Sequence, residues 1–191
     1  PITIKSYRYD KTIQQELTDN DIEKILKHLK KDKSWLGVRN YTIVCMLSDT
    51  GLRISELISL NTDDIQNDII KVKSKRKERI VPISPKLKLV LKKYLLIRNS
   101  NSKPLFTTKG GDRLQIISVQ KMIQKLGTTL DMDLHCHLFR HYFIQSLLRK
   151  GVNLFFISTV VGHNNIQTTQ EYLKSMNNMQ IIEDLKKYTN L

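Results

Sequence analysis

Apolar residues recur every three or four positions along most of this chain, which is the spacing of one face of an α-helix. The first stripe follows Thr18, which can cap a helix together with Asp21 at the capping-box position. A more apolar helix is predicted over residues 37–49. Thr50 and Gly51 end it, and a short helix is predicted over residues 54–60. Further helices are predicted over residues 85–97, 118–130, 137–150, 154–160, 168–174 and 177–188.

The pattern changes between residues 68 and 84, where two short apolar segments flank a charged turn. Residues 69–73 and 79–83 are predicted to pair as a β-hairpin. Pro82 has no backbone N–H, so its strand is expected to lie at a sheet edge or to end there. Residues 99–111 are expected to form a loop with one extended piece at 105–107. The fold class is therefore α+β, mostly helical with a small antiparallel β-sheet.

The chain is expected to fold as a single domain, because it has 191 residues, no internal repeat and no low-complexity linker. Residues 1–16 are expected to be a linker-like segment, and residues 175–191 a C-terminal tail helix. Met179, Ile182 and Leu185 form an apolar stripe on that tail. The simplest explanation of the stripe is that the tail caps its own domain.

The charge balance is strongly basic, with 32 Lys and Arg residues against 18 Asp and Glu residues and a formal net charge of +14. This excess favours DNA, RNA or an anionic membrane surface as a partner, although a solvated lysine-rich surface has the same composition. The most apolar stretch, residues 154–161, is too short to cross a membrane. Cys45 and Cys136 make no disulfide framework, and no signal peptide heads the chain, so a cytoplasmic location is expected.

The order His135-Cys136-His137 contains residue types that bind zinc. Three ligands so close together have the wrong spacing for one tetrahedral ion, and no partner pair occurs elsewhere in the chain. We therefore expect no metal and no cofactor.

Two arginines, two histidines and a tyrosine occur at spacings suited to phosphodiester chemistry. His137 and Arg140 are three residues apart on one predicted helix, so their side chains leave the same face. His163 follows Arg140 by twenty-three residues, and Tyr172 follows His163 by nine. With Arg53, at the start of a short helix, they form a set that can attack a phosphodiester without metal: arginines grip phosphate oxygens, histidines move protons and a phenol is a nucleophile.

Each of these residues, taken alone, has an ordinary structural explanation. Arg53 can be a surface residue or part of a buried ion pair, and Glu56 shares its helical face and can orient it. His137 and Arg140 can belong to an exposed polar strip, and His163 can interact with a helix dipole. The prediction therefore depends on the combination and the spacing.

The motifs that contain these residues resemble those of the tyrosine recombinases, the phage-integrase and Xer-type family. The resemblance extends from about residue 17 to about residue 185. Phe139 stands where the His-x-x-Arg motif of the family usually has leucine, and His135-Cys136 replaces the commoner Ser/Thr-Pro cap. The matching motifs lie at residues 50–57, 137–141, 161–163 and 168–172.

The resemblance implies the tyrosine-recombinase catalytic-domain fold and the activity of a site-specific DNA recombinase or integrase. Tyr172 would attack a DNA phosphodiester and leave a 3′-phosphotyrosyl link and a free 5′-hydroxyl. Arg53 and Arg140 would hold the phosphate oxygens, His137 would be the base, and His163 would add a hydrogen bond. A foreign 5′-hydroxyl would then attack the phosphotyrosine and exchange the strands.

The family also has a catalytic lysine, whose position here is ambiguous. Residues 73–79 contain five cations, which also suit a basic hairpin tip that follows DNA phosphates. Counting along the first strand from residues 69 and 70 selects Lys75, whereas counting back from Pro82 selects Ser74, flanked by Lys73 and Lys75. A serine cannot act as a cationic acid, so Lys75 is preferred and Lys73 is the second choice.

The resemblance further implies double-stranded DNA as the partner and a homo-oligomer on DNA, a tetrameric synapse joined through the C-terminal tail, in a prokaryotic cytoplasm. Nothing in the chain resembles the N-terminal core-binding domain of the family, so the chain is expected to be either a fragment of a longer recombinase or a Met-trimmed minimal protein, and the fragment is preferred. Two alternatives remain. A type IB topoisomerase would use a related site to relax supercoils, and a non-catalytic DNA-binding module would use these residues only to grip phosphate.

Overall fold

The computed structural model describes residues 16–74, 77–98 and 101–162. These residues form seven α-helices and one three-stranded antiparallel sheet, the mostly helical α+β architecture that the sequence predicts. The helices are α1 (Asp19–Leu29), α2 (Trp35–Thr50), α3 (Ile54–Ser59), α4 (Pro85–Ile97), α5 (Ile116–Leu130), α6 (Cys136–Arg149) and α7 (Leu154–Val161). The strands are β1 (Ile65–Gln66), β2 (Ile69–Ser74) and β3 (Lys77–Pro82).

The central helix of the domain is α2, which packs against α1, α4 and α6. Ile43, Val44, Met46 and Leu47 are all fully buried, so apolar side chains leave this helix on more than one face. Each contributes roughly 1.5–3 kcal/mol of hydrophobic stabilisation relative to an exposed position. Helix α2 is therefore an interior element, and the helices that carry the site are arranged around it.

Helix α1 begins with the capping box that the sequence predicts. The backbone N–H of Asp21 donates to Thr18 Oγ1 at 3.2 Å, and the backbone N–H of Thr18 donates to Asp21 Oδ2 at 2.9 Å. Ile22 and Ile25 are buried on the side of α1 that packs against α2. The cap and the apolar stripe thus agree on where this helix starts and which side it buries.

The sheet has the strand order β1-β2-β3, so β3 lies at an edge and Pro82 ends it, as expected. Val72 of β2 and Val81 of β3 are buried on the core side of the hairpin. Strand β1 was not predicted, because two residues cannot show an alternating pattern. It pairs with β2 through a tight turn in which Asn67 adopts a φ of 49°.

Gly51 redirects the chain between α2 and α3. It ends α2 with a φ of 61°, and its N–H donates to the carbonyl of Leu47. A Cβ at this position would lie 2.4 Å from Cδ1 of Phe143 in α6. A glycine is therefore needed for the left-handed backbone and for the close approach of α6. The turn leaves Arg53 as the N-cap of α3.

The predicted extended piece between α4 and α5 is buried against the core. Leu105, Phe106 and Thr107 are fully buried, and the Phe106 ring stacks on Tyr94 of α4 with centroids 5.3 Å apart. An isolated bridge pairs Thr107 with Arg113. The segment thus closes one side of the core without forming a longer strand.

The described helices from α2 to α7 begin and end within two residues of the predicted boundaries. The helices predicted over residues 168–174 and 177–188 lie outside the described residues, as does nearly all of the linker-like segment 1–16. The C-terminal tail, residues 175–191, also lies outside them.

We predict that Gly51→Ala lowers the free energy of unfolding by about 2 kcal/mol or more, because it combines backbone strain with a clash against Phe143. Thermal unfolding followed by circular dichroism measures the change. Gly110→Ala is the matched control, since a Cβ there would have no neighbour nearer than 3.6 Å. Equal melting temperatures for the two variants would contradict the role assigned to Gly51.

Candidate active site

Arg53 lies at the turn that Gly51 produces, with its side chain 41% exposed. Its Nη1 donates to Glu56 Oε1 at 3.3 Å, and its Nη2 donates to the carbonyl oxygen of Gly162 at 3.4 Å. Both hydrogen bonds are long. The protein therefore orients this guanidinium while a large part of it stays accessible to a ligand.

Glu56 is the buried acid of the site. Its carboxylate accepts hydrogen bonds from the backbone N–H of Arg53 at 2.8 Å and from Nη1 and Nη2 of Arg79 at 2.7 and 2.9 Å. Burial alone would raise the pKa of Glu56, but the hydrogen bonds and charges of Arg79 and Arg53 outweigh it and hold that pKa below its ordinary value of 4.5. Glu56 is thus a carboxylate at neutral pH. It contacts Arg53, as predicted, but its shorter side-chain contacts are with Arg79.

Arg140 lies on α6 and is buried. Its Nη1 donates to the carbonyl oxygen of Gly51 at 2.6 Å, and its Nη2 donates to the carbonyl oxygen of Val161 at 2.8 Å. One side chain therefore joins the α2–α3 turn to the end of α7. This brings the two predicted arginines to the same place, since Arg53 follows that turn and contacts Gly162.

Each of the last three carbonyl groups at the end of α7 accepts a hydrogen bond from a different arginine. The pairs are Arg79 with Val160, Arg140 with Val161 and Arg53 with Gly162. The final carbonyls of a helix lack partners within it and carry the negative end of its dipole, so cations are favoured there. Gly162 ends α7 in the left-handed conformation, with a φ of 67°.

His137 is exposed in the first turn of α6, one turn before Arg140. Its ring centroid lies 6.4 Å from that of His135. His141, one turn later, is half-buried. Its burial first, and then the neighbouring His137, His135 and Arg140, lower the pKa of His141 below the ordinary 6.5. The neutral form of His141 is thus favoured, while the His137 side chain is exposed to solvent.

The strand register is described on both sides of the predicted lysine. Ser74 of β2 pairs with Lys77 of β3. Lys75 itself lies outside the described residues.

Lys73, the second choice for the catalytic lysine, lies on the outer face of the hairpin. Its Nζ is 3.6 Å from Glu78 Oε1, and its side chain is 67% exposed. Adjacent residues of a strand point to opposite faces, so Lys73 is opposite to buried Val72. Arg79 is the cross-strand partner of Val72 and shares its inner face. Lys73 and Arg79 therefore lie on different faces of the hairpin.

Arg79 is the site residue that sequence reasoning missed. The sequence assigns it, with the other cations of residues 73–79, to a basic hairpin tip, yet its side chain is only 13% exposed. The period-two pattern of β3 contains the signal, because Arg79 shares a face with Val81 and Ile83, which are both buried. A charged residue on an apolar strand face must find a buried partner.

His163 and Tyr172 lie outside the described residues, so their roles stay predictions. The described chain does locate the point from which their segment departs. His163 directly follows Gly162, whose carbonyl contacts Arg53.

Both cysteines of the chain are buried. Burial raises the pKa of the Cys136 thiol to about 11, and burial raises that of Cys45 to about 11 as well. A thiol that stays protonated is a poor nucleophile and metal ligand. Over the described ranges, no three His, Cys, Asp or Glu side chains group together as they would around a metal ion.

None of the helices in the described ranges is long and apolar enough to cross a membrane.

Residues 15–179 match the Phage integrase family. The tyrosine recombinase XerC of Rickettsia canadensis (strain McKiel) is 33% identical over 182 residues, which cover 91% of this chain and 60% of that protein. The tyrosine recombinase XerA of Pyrococcus horikoshii is 30% identical over 178 residues, with 90% and 60% covered. The chain thus spans about three fifths of the length of these relatives.

Solved structures agree with the sequence matches. A crystal structure of XerA recombinase superposes with a TM-score of 0.81 at 27% identity, covering 93% of this chain and 66% of that one. A structure of the Tn1549 transposon integrase with a circular intermediate DNA gives a TM-score of 0.80 at 19% identity, covering 96% and 68%, and shares the fold.

We predict that the contribution of Glu56 to stability depends on pH. Because the pKa of Glu56 is lowered in the folded state, its contribution is fully present above the ordinary value of 4.5 and is lost as the pH falls through the folded value. Glu56→Gln should therefore cost more stability at about pH 6 than at about pH 3, as measured by denaturant unfolding. Glu78→Gln, which removes an exposed ion pair, is the control. A cost for Glu56→Gln that is equal at both pH values would contradict the lowered pKa.

Proposed function

Because the chain belongs to the phage integrase family, we propose that residues 1–191 are the catalytic domain of a site-specific tyrosine recombinase that acts on double-stranded DNA. The observation that carries the proposal is the convergence of Arg53 and Arg140 on the end of α7. Guanidinium groups bind phosphate oxygens, and the next residues of the chain include His163 and Tyr172. The net charge of +14 supports a polyanionic substrate.

In the proposed first step, the Tyr172 hydroxyl attacks a DNA phosphodiester. A bond forms between the phenolic oxygen and phosphorus, and the bond from phosphorus to the 5′-oxygen breaks. Tyrosine has a pKa near 10, so its proton must be removed during the attack. We assign the proton to His137, because it is exposed one turn before Arg140. Lys75 gives a proton to the departing 5′-oxygen.

Arg53 and Arg140 stabilise the negative charge that develops on the non-bridging oxygens. The accessible part of the Arg53 guanidinium suits this role directly. Arg140 also holds the backbone of Gly51 and Val161, so it fixes the turn and the helix end beside the phosphate. His163 adds a hydrogen bond to the same oxygens.

In the second step, the 5′-hydroxyl of another strand gives its proton to Lys75 and attacks the phosphotyrosine, and the bond from phosphorus to the Tyr172 oxygen breaks as that oxygen regains its proton from His137. One phosphate ester bond forms for each that breaks, so the proposed reaction uses no ATP, metal or cofactor.

The faces of the hairpin count against Lys73 as the catalytic lysine. Lys73 points away from the face that carries Arg79 and forms an exposed pair with Glu78. Lys75 keeps the role because Ser74, the other residue that the counts along the sequence select, cannot act as a cationic acid.

We also propose that the domain assembles on DNA as a homotetrameric synapse through its tail. The apolar stripe of Met179, Ile182 and Leu185 needs a complementary surface. A groove of about 450 Å³ lies between the end of β3, α6 and α7. Its apolar lining includes Tyr142, Phe143, Leu147, Phe156 and Val160. We propose that this groove receives the tail of a neighbouring copy, in a prokaryotic cytoplasm and on nucleoid DNA.

The central test is covalent capture by Tyr172. With a suicide substrate that loses its 5′-hydroxyl fragment, wild-type protein should become attached to DNA, whereas Tyr172→Phe should bind DNA normally and form no covalent band. A covalent band with Tyr172→Phe would assign the reaction to another tyrosine. Incubation with one supercoiled plasmid distinguishes a recombinase from a type IB topoisomerase, which would relax it without a second partner.

A change of leaving group tests which lysine protonates the 5′-oxygen. Lys75→Ala should cleave ordinary DNA slowly and recover on a substrate whose bridging 5′-oxygen is replaced by sulfur, because a thiolate leaves without a proton. Lys73→Ala is the control and should show weaker binding without this recovery. Recovery with Lys73→Ala instead would transfer the role to that residue.

The tail is tested with Ile182→Glu and Leu185→Glu. If the tail docks on a neighbouring copy, both variants should keep the melting temperature of wild type and lose recombination more than binding to a single DNA site. Variants that no longer fold would place the tail in the core of its own domain.

A further inference from the structure

We propose that Arg79 is a positioning residue for DNA cleavage, an inference that rests on the proposed function: its guanidinium fixes both the carboxylate that orients Arg53 and the end of α7.

Arg79 reaches inward from β3 and uses all three of its nitrogen atoms. Nη1 and Nη2 donate to the two oxygens of Glu56 at 2.7 and 2.9 Å, a parallel bidentate pair. Nε donates to the carbonyl oxygen of Val160 at 2.8 Å. One side chain therefore connects a strand, the first turn of α3 and the end of α7.

Glu56 transmits the position of Arg79 to Arg53. Oε1 of Glu56 accepts from Arg79 Nη1 at 2.7 Å and from Arg53 Nη1 at 3.3 Å. Oε2 accepts from Arg79 Nη2 at 2.9 Å and from the backbone N–H of Arg53 at 2.8 Å. Because Arg79 makes the short side-chain contacts, it sets the orientation of the carboxylate, and the carboxylate in turn restrains the more exposed Arg53.

The same guanidinium packs directly on the turn that follows α7. A Cβ at Gly162 would lie 3.0 Å from Cζ of Arg79, so there is little space between them. The carbonyl of Gly162 is the acceptor for Arg53, and His163 is the next residue. Displacement of Arg79 would therefore disturb two proposed phosphate contacts together.

A direct role for Arg79 in binding phosphate fits the geometry less well. Nη1 and Nη2 of Arg79 are both paired with the carboxylate of Glu56, which offsets its charge, whereas those of Arg140 donate to neutral backbone carbonyls. The Arg79 side chain is 13% exposed, against 41% for that of Arg53. Arg79 thus acts through other groups, which predicts a loss of cleavage rate without an equal loss of DNA affinity.

The test compares Arg79→Met and Arg79→Lys with wild type in single-turnover cleavage at saturating DNA, with the dissociation constant measured separately. We expect the cleavage rate to fall roughly tenfold to a hundredfold, the usual effect of losing a group that orients a reacting one. The dissociation constant should change by less than about threefold. Arg79→Lys keeps the charge and should keep the fold, but an ammonium cannot reproduce the bidentate fork.

Arg113→Met is the matched control. Arg113 also donates to helix-end carbonyls, those of Ile58 and Leu60 at 2.7 and 3.0 Å, but it has no contact with Glu56 or α7 among its hydrogen bonds. If the role of Arg79 were merely structural, the cleavage rate of its variants would fall only as far as their stability does. Arg113→Met with a similar loss of stability would then cleave equally slowly. The sulfur-containing substrate should not restore Arg79 variants, because their defect is not in protonation of the leaving group.

A double-mutant cycle tests whether the effect of Arg79 on cleavage passes through Glu56. If Arg79 acts through Glu56, the combination of Arg79→Met with Glu56→Gln should be no slower than the slower single variant. Two results would overturn the inference but leave the proposed function intact, provided that the wild type cleaves DNA. One is a double variant in which the two losses of cleavage rate multiply. The other is an Arg79→Lys variant that cleaves as fast as wild type. A wild type that forms no covalent complex with DNA would instead overturn the proposed function, and this inference with it.

Discussion

The last carbonyl groups of a packed helix must receive hydrogen bonds from outside the helix, and at the end of α7 arginine side chains supply them. A buried carbonyl left without a donor costs about 1–3 kcal/mol. Here the donors come from β3, from α6 and from the turn before α3. Satisfying one helix end therefore ties three separate parts of the chain to a common point, and the proposed site is built at that point.

The same arrangement explains the charge of the site. Three guanidinium groups repel one another, and Glu56 is the carboxylate that contacts two of them. The dipole of α7 adds partial negative charge from the other side. This compensation is incomplete, so a positive field remains where a phosphate is proposed to bind. Because the groups are fixed before substrate arrives, little reorganisation is needed when charge develops.

Local patterns predicted the helices well because each one carries its own signals. The capping box at Thr18, the glycine at position 51 and the apolar stripes lie within a few residues of the boundaries that they set. Strand β1 escaped prediction because it is too short for any pattern. The motifs select Arg53 and Arg140 as candidates, but they do not show that backbone carbonyls hold each of them.

The role of Arg79 could not be predicted from local sequence patterns. Its partners, Glu56 and Val160, are 23 and 81 residues away in sequence, so no local window contains the interaction. The lysine was ambiguous for a related reason: two counts along a hairpin disagree when the turn length is unknown. The pairing of Ser74 with Lys77 gives the strand register, which no count along the sequence provides.

Because the three arginines Arg53, Arg79 and Arg140 are held by the end of α7, their arrangement can form only late in translation. Arg53 and its acceptor at Gly162 are 109 residues apart, and the arginines are all translated before α7. A growing chain on the ribosome therefore contains the cations without the carbonyls that gather them. We expect the proposed phosphate-binding geometry to form only after α7 has emerged, so that incomplete chains lack the assembled arginine cluster.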